Sequence, residues 1–193
     1  MGELVPRLFV IAPGDCSGKR AQMLRRPAAD FALACAVRRG EALLGDVCSF
    51  VGVSFRGQLA YATRFGTAGP LVITPGDGLQ SPHRKVGIAD LARWAAIDPA
   101  TAGSGERLRA DAERLAATRP RAATLVLLES PAGPSCIDVL RPIFGAALLV
   151  PRAMLGRGGS RAALLLRAAQ QGAELDYLPA SEVPQRGAMR SVA

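Results

Sequence analysis

A glycine-rich turn near the start of the chain carries the residue types best suited to binding chemistry. The stretch APGDCSGKRAQML, residues 12–24, follows an apolar run and precedes a helical pattern. A nucleotide-binding P-loop has four residues between its glycines and a Ser or Thr after its lysine, because the backbone encircles a phosphate and the hydroxyl binds magnesium. Here Gly14 and Gly18 enclose three residues, and Arg20 stands where the hydroxyl would be. The turn is therefore not a P-loop.

The same turn still has the features of an anion site, since backbone N–H groups at a helix start attract negative charge. The ligand-binding residues that we predict here are Cys16, Ser17, Gly18, Lys19 and Arg20. The alternative is a strand-to-helix turn whose basic side chains are only solvated. Cys16 beside two cations has the setting of an activated nucleophile. We favour a packing role for it, because unpaired cysteine is usually buried and inert.

Two other loops have similar chemistry, PGDGLQSPHRK (residues 75–85) and GRGGSR (residues 156–161). The strand exit VIAPGD recurs as VITPGD, which gives Asp15 and Asp77 equivalent positions. Both are candidate catalytic carboxylates for acid/base chemistry, with turn capping as the structural alternative. The further ligand-binding candidates are Gly78, His83, Ser160 and Arg161.

Cysteine and histidine usage argues against a metal centre. Cys16, Cys35, Cys48 and Cys136 form no CxxC pair, and His83 is the only histidine, so we expect neither a metal nor a cofactor. No apolar run has the length of a signal peptide core or a membrane span. We therefore expect a cytoplasmic protein with free thiols and no membrane partner.

The net charge of the chain is basic, but it says little about the partners of the protein. The net charge is +8, and all but two of the 24 basic residues are arginines. An excess of arginine and alanine is typical of a GC-rich genome, and the arginines are scattered along the chain. A nucleic-acid partner therefore stays an alternative to a solvated basic surface.

The pattern of apolar residues alternates between strands and helices. Strands are predicted at residues 7–12, 71–74, 124–129 and 147–150, with a weaker one near Leu175. Helices are predicted at residues 28–38, 88–97, 106–117 and 161–171, the last capped by Ser160 and ended by Gly172. We expect Phe31, Ala32 and Cys35 to face inward and Asp111 to face outward. Residues 40–66 are predicted to form one or two helices with a break near Ser54.

This alternation predicts an α/β domain of three layers, with a mostly parallel sheet of about five strands and helices on both faces, as in Rossmann-like folds. The 193 residues, 49% of them hydrophobic, suffice for one core. We predict a single domain at residues 1–180 and a flexible tail at residues 181–193. In such sheets ligands bind at the carboxyl ends of the strands, where the strand order reverses.

Four segments resemble a family of small bacterial proteins of unassigned function. They are LFVIAPGDCSGKRAQML, FRGQLAYATRF, LVITPGDGL and LGRGGSRAALLLRAAQQGAELDYLP, which cover most of the chain. The family pattern has CSGKR after the first strand, an FRGKLAYA-like helix, a GLxP loop and a GRGDMSRGGLLLR segment. More distantly, CSGxK with a later GLxxP loop is similar to α/β domains of which some resemble the uracil-DNA-glycosylase-like fold of archaeosine-type tRNA modification enzymes. No catalytic residue is carried over.

The chain departs from this family pattern in two loops. GRGGSR, residues 156–161, lacks the aspartate of GRGDMSR, and ESPAGPSC, residues 129–136, replaces a GSIAT-like loop followed by Lys-Tyr. If these loops form the family's active site, the activity of this chain is altered or lost.

Three functional hypotheses follow. The first is an enzyme acting on a nucleotide, nucleoside or base, with its anion held at the strand-exit loops and Asp15 or Asp77 as acid/base; it requires a closed pocket that also contains Ser17, Lys19 and Arg161. The second is a noncatalytic module that binds a nucleotide or nucleic acid on an open basic face that includes Arg56 and Arg64. The third is a degenerate family member with an interaction role, which applies if the three loops do not meet.

Overall fold

The fold is α/β, as the sequence predicts. The structure is a computed structural model and describes residues 6–12, 16–97, 105–128, 136–155 and 160–183. The strands are β1 (Arg7–Ile11), β2 (Ala42–Leu43), β3 (Leu71–Thr74), β4 (Gly78–Gln80), β5 (Lys85–Val86), β6 (Thr124–Leu128), β7 (Leu148–Pro151) and β8 (Tyr177–Pro179). The α-helices are α1 (Lys19–Arg25), α2 (Ala32–Arg39), α3 (Leu44–Val51), α4 (Phe55–Phe65), α5 (Ile88–Ala96), α6 (Glu106–Thr118), α7 (Cys136–Phe144) and α8 (Arg161–Gln171).

The central sheet has six strands in the order β4-β3-β1-β6-β7-β8. The four inner strands run parallel, with Ile11 of β1 paired with Val72 on one side and with Leu128 on the other. The outer strands β4 and β8 are antiparallel to their neighbours. The mostly parallel sheet is thus confirmed, with one strand more than the five we expected.

Helices cover both faces of the sheet and make three layers. On β1, Phe9 and Ile11 face the layer that contains α1–α5 and α8, and Val10 faces α6 and α7. All three side chains have no exposed surface. This two-sided burial explains why the strands read as continuous apolar runs. None of the helices within the described residues combines the length and apolar composition needed to cross a bilayer.

Four elements gave no recognisable sequence pattern. β2 lies in the segment that we predicted as helical, residues 40–66. β4 lies in the predicted loop at residues 75–85, and β5 begins at the last residue of that loop. They are only three and two residues long, too short for a periodic signal. α7 contains Pro142, which normally indicates a break in a helix because proline lacks the N–H that the helix uses.

Helix boundaries follow the predictions closely in most places. The break near Ser54 is confirmed by the end of α3 at Val51 and the start of α4 at Phe55. At α8, the Ser160 hydroxyl accepts a hydrogen bond of 3.3 Å from the Ala163 N–H, and Gly172 ends the helix with a φ of 64°.

The prediction for α2 was wrong at its start and on its inner face. The helix begins at Ala32, four residues later than expected, so its buried residues are Ala34 and Val37. Phe31 instead precedes the helix and stacks on Phe50, with 5.5 Å between the ring centroids. Phe31 still packs against the main core as expected, whereas Ala32 is exposed.

Asp111 corrects another prediction, since it faces inward. Its side chain is only 8% exposed, and its Oδ2 accepts a hydrogen bond of 2.9 Å from the Leu79 N–H. Arg107 and Arg114 pair with the same carboxylate. The reason is β4, because Leu79 lies on this edge strand and α6 packs over it. A carboxylate is needed there as an acceptor for the edge backbone.

A hydrogen-bonded cluster joins the last strand to α4. The hydroxyls of Tyr61 and Tyr177 lie 2.7 Å apart, and the Tyr61 hydroxyl accepts a bond of 2.8 Å from the Leu175 N–H. Tyr177 also donates to Glu174, which pairs with Arg7 of β1. Burial raises the pKa of both tyrosines. The cluster therefore holds the chain before β8 against α4 with uncharged phenols.

α4 and α8 pack with almost no space between their backbones. A Cβ placed on Gly57 of α4 would lie 2.5 Å from the carbonyl oxygen of Ala162 in α8. At the other end of the pair, a Cβ on Gly172 would lie 3.4 Å from Arg64 Nη2. The two helices therefore run side by side with their first turns together, and only glycine fits at position 57.

We predict that Gly57→Val lowers the free energy of unfolding by about 2 kcal/mol, because the added atoms force the two backbones apart. Urea denaturation followed by circular dichroism would measure the change. Gly69→Val is the matched control, since a Cβ at Gly69 meets no atom within 4 Å. Equal stability of the two variants would contradict the close packing at Gly57.

Candidate functional site at the carboxyl edge of the sheet

The strand order defines a crevice at the carboxyl edge of the sheet. From β1 the chain continues to β3 on one side, and from β3 it then crosses to β6 on the other side of β1. The loops that follow β1 and β6 therefore diverge, and such a switch point is where open α/β sheets bind their ligands. The segment 12–18 follows β1, so the predicted anion-binding turn begins at this crevice.

Gln58 connects α4 to the exit of β1. Its Oε1 accepts a hydrogen bond of 3.2 Å from the Ala12 N–H, directly after the strand. The side chain is 1% exposed, among the few buried polar groups of the described residues. The first turn of α4 is thereby fixed against the end of β1.

The start of α8 packs against the first turn of α4, because the Ala162 carbonyl oxygen lies against Gly57, one residue before Gln58. Arg161 is partly buried, and its Nε donates a hydrogen bond of 2.8 Å to the carbonyl oxygen of Met154. Ser160 is exposed and caps the helix. Ser160 and Arg161 thus lie at the end of α8 that packs on α4, the helix whose Gln58 bonds to the exit of β1.

The cations of the first turn are accessible. Lys19 and Arg20 are both exposed at the start of α1. One amino group of Arg20 donates a bond of 3.3 Å to the carbonyl oxygen of Phe50, and Gln22 donates one of 3.0 Å to that of Ser17. Gly18 stands at the N-cap position with an extended backbone. The turn is therefore braced by its neighbours and presents two positive charges to solvent.

Cys16 is half-buried and packs against the main core. It lies close enough to Cys48 to affect that group electrostatically. Burial, with a smaller contribution from Cys16, raises the pKa of the Cys48 thiol far above its usual value. Contact with the core favours the packing role for Cys16, which stays a prediction.

Three hydrogen-bond donors hold the carboxylate of Asp77, which follows β3. Its Oδ2 accepts hydrogen bonds from Arg84 at 3.0 Å, from Arg93 at 2.7 Å and from the Trp94 indole at 3.1 Å. Burial opposes ionisation of this carboxyl, but the bonds from Arg93, Trp94 and Arg84 outweigh it and lower its pKa. Asp90 shares both arginines. This arrangement ties α5 to the β3 exit.

The other predicted ligand-binding residues near Asp77 in the sequence are Gly78 and His83. Gly78 has a φ of 70°, and a Cβ there would overlap Oδ2 of Asp111, so the hairpin between β3 and β4 requires glycine. His83 is exposed, and its N–H donates to the Ser81 hydroxyl at 3.2 Å. These contacts neither support nor contradict a ligand-binding role for Gly78 or His83.

Several predicted positions lie outside the described residues. They are Asp15, the loop at residues 156–159 and the segment at residues 129–135 after β6. Among the residues that the structure does describe, no group of three or more His, Cys, Asp or Glu side chains is placed to hold a metal ion.

Gln58 is the site residue that the sequence reasoning missed. It occupies the same helix face as Phe55, Tyr61 and Ala62, all of which are buried. A polar residue on an otherwise apolar stripe is the signal that could have identified it, because a buried amide needs hydrogen-bond partners.

No protein-family model, curated protein or solved structure matches this chain. The family resemblance drawn from the four segments therefore stays a prediction, and the function has to be argued from the geometry alone.

The charge on Asp77 is predicted to stabilise the fold. We expect Asp77→Asn to lower the free energy of unfolding at pH 7 by about 2 kcal/mol, because charge-assisted hydrogen bonds are lost. Since folding lowers this pKa, the stabilisation is complete above the unfolded-state value of about 4 and disappears as the pH falls through the folded-state value.

Urea denaturation of both proteins from pH 7 to pH 3 would test this. The difference between wild type and Asp77→Asn should shrink at the acid end. The exposed Asp138 provides the control Asp138→Asn, with little change expected at any pH. A difference that stayed constant down to pH 3 would show that the Asp77 charge contributes nothing.

Proposed function

We propose that the protein binds a phosphate-bearing small molecule of the nucleotide or nucleoside-phosphate class at the carboxyl edge of its sheet. The observation that carries the proposal is the convergence of three elements, as Gln58 joins α4 to the β1 exit and Gly57 joins α4 to the start of α8. β1 borders the point where the strand order reverses, which is the usual ligand position in this architecture.

The electrostatics of this edge favour an anion. Lys19 and Arg20 are exposed at the start of α1, the first helix after β1, and Arg161 begins α8. α4 and α8 are both 11 residues long, and the positive ends of their dipoles lie together because their first turns touch. A ligand with one or more phosphates would neutralise this concentration of charge.

Catalysis on such a ligand requires a carboxylate that can exchange a proton. Asp77 is poorly suited, because three donors hold its ionised form and lower its pKa. We therefore assign the acid/base role, in the enzyme form of this proposal, to Asp15. In the sequence it comes shortly after the end of β1 at Ile11 and before the cations Lys19 and Arg20.

Ligand binding is tested by thermal shift and calorimetry with adenosine and guanosine mono-, di- and triphosphates and their parent nucleosides. We expect phosphorylated ligands to raise the melting temperature, and Lys19→Ala to weaken the best of them about tenfold, as for a lost charged hydrogen bond. The matched control is Lys85→Ala, since Lys85 is the only other lysine and is exposed on β5.

Equal loss of affinity in both lysine variants would mean that the effect is one of net charge. No shift with any phosphorylated compound would refute the proposed ligand class.

The role of Asp15 is tested with the same compounds, by chromatography of long incubations. For any compound that is converted, Asp15→Asn should slow the reaction at least about a hundredfold while leaving the affinity within a few-fold. Asp77→Asn should retain the rate wherever it remains folded. The opposite result, a rate lost only in folded Asp77→Asn, would transfer the role to Asp77.

A further inference from the structure

A cleft of about 620 Å³ lies between α4 and α8 on the protein surface. Its apolar lining is formed by Leu59, Ala60, Leu166 and Ala169. Leu166 is 40% exposed and is one of the few large apolar side chains that the described residues present to solvent. Arg56 and Arg64 also line the cleft. Because Gln58 lies on the buried face of α4, this cleft is a different surface from the carboxyl-edge site.

The two helices that form the cleft carry only positive charge. α4 reads FRGQLAYATRF and α8 reads RAALLLRAAQQ, so each has two arginines and neither has Asp or Glu. Exposed helices usually interleave charges of both signs, because pairs of opposite charge stabilise them. A one-signed surface around an apolar lining is therefore suited to an anionic partner.

The two arginines stand at opposite ends of the cleft. Arg56 is anchored by a hydrogen bond of 3.1 Å from its Nε to the carbonyl oxygen of Ser49. Arg64 lies beside Gly172 at the end of α8, and its guanidinium is 5.9 Å from the Phe65 ring centroid. Eight residues of α-helix separate the two, a rise of about 12 Å. Between them, Ala60 and Ala169 leave room for another element to approach.

We propose that this cleft binds an acidic amphipathic helix of a partner protein. The apolar stripe of that helix packs on the leucines and alanines of the cleft, as in other helix-in-groove complexes. Two carboxylates about two turns apart, roughly 10.5 Å along its axis, pair with Arg56 and Arg64. Arginine beside an apolar patch is also the composition that is enriched in protein interfaces.

Other occupants fit this surface less well. A second copy docking through the same patch would place arginines against arginines, and like charges across an interface are costly. Single-stranded nucleic acid relies on aromatic side chains for stacking, and none of the described residues that line the cleft is aromatic. The apolar lining would gain nothing from a phosphate backbone.

The test uses fluorescently labelled synthetic peptides of about 16 residues, long enough to hold a helix. One peptide has a leucine stripe with Glu at positions i and i+7, one has Lys at those two positions, and one has the Glu composition scrambled. Fluorescence anisotropy with the full-length protein should show binding of the Glu peptide and at least tenfold weaker binding of the other two.

The protein variant is R56E/R64E, with R109E/R121E as the control of equal charge change, since Arg109 and Arg121 are exposed and outside both helices. The Glu peptide should bind at least tenfold more weakly to R56E/R64E and normally to the control. The Lys peptide should gain affinity for R56E/R64E, a rescue that a misfolded variant would not show.

Equal binding of the Glu and scrambled peptides, or no rescue by the Lys peptide, would overturn the proposal. The proposal would also be overturned if a short single-stranded RNA bound in a way that required Arg56 and Arg64 and the Glu peptide did not bind.

Discussion

The contact between α4 and α8 at Gly57 is the constraint on which both candidate surfaces depend. Because the Ala162 carbonyl oxygen occupies the space of a side chain at this position, the two helix backbones touch at their first turns. α4 thereby contacts both the start of α8 and, through Gln58, the exit of β1, although these two segments lie far apart in the sequence. The contact at Gly57 also sets the width of the surface cleft farther along the pair.

α4 serves the two surfaces with different faces. Its buried face places Gln58 under the β1 exit, where the amide satisfies a backbone N–H that the sheet leaves without a strand partner. Its exposed face presents Arg56 and Arg64 beside apolar side chains. A helix that is fixed on one face by a buried hydrogen bond and by glycine packing is a rigid platform for the other face.

Charge is distributed unevenly over the molecule, in a way that the net value of +8 does not reveal. Asp77, Asp90 and Asp111 neutralise the arginines of α5, α6 and the loop before β5. These acids act as structural ties between helices and strand exits. The arginines of α4 and α8, by contrast, have no acid on their own helices.

The sequence by itself determined the α/β class, the inner strands and most of the helices. Strands buried on both faces leave continuous apolar runs, and helix caps such as Ser160 and Gly172 are local signals. β4 and the inward orientation of Asp111 could not be predicted from the sequence. A three-residue strand has no periodic pattern. The backbone of β4 needs the Asp111 carboxylate as an acceptor only when α6 packs over the strand. The α7 helix could not be predicted, because Pro142 normally indicates a break in a helix. Here the fold overrides that local preference.

At the candidate site, too, some features follow from the sequence and others only from the tertiary structure. Residue types marked Lys19, Arg20, Ser160 and Arg161 as chemically suitable, since cations and helix starts can be read from the chain. Only the tertiary structure placed the start of α8 against α4, joined α4 to β1 through Gln58, and enclosed Asp77 among Arg84, Arg93 and Trp94. These outcomes depend on which backbones approach one another, and such contacts between residues far apart in sequence leave no periodic trace in it.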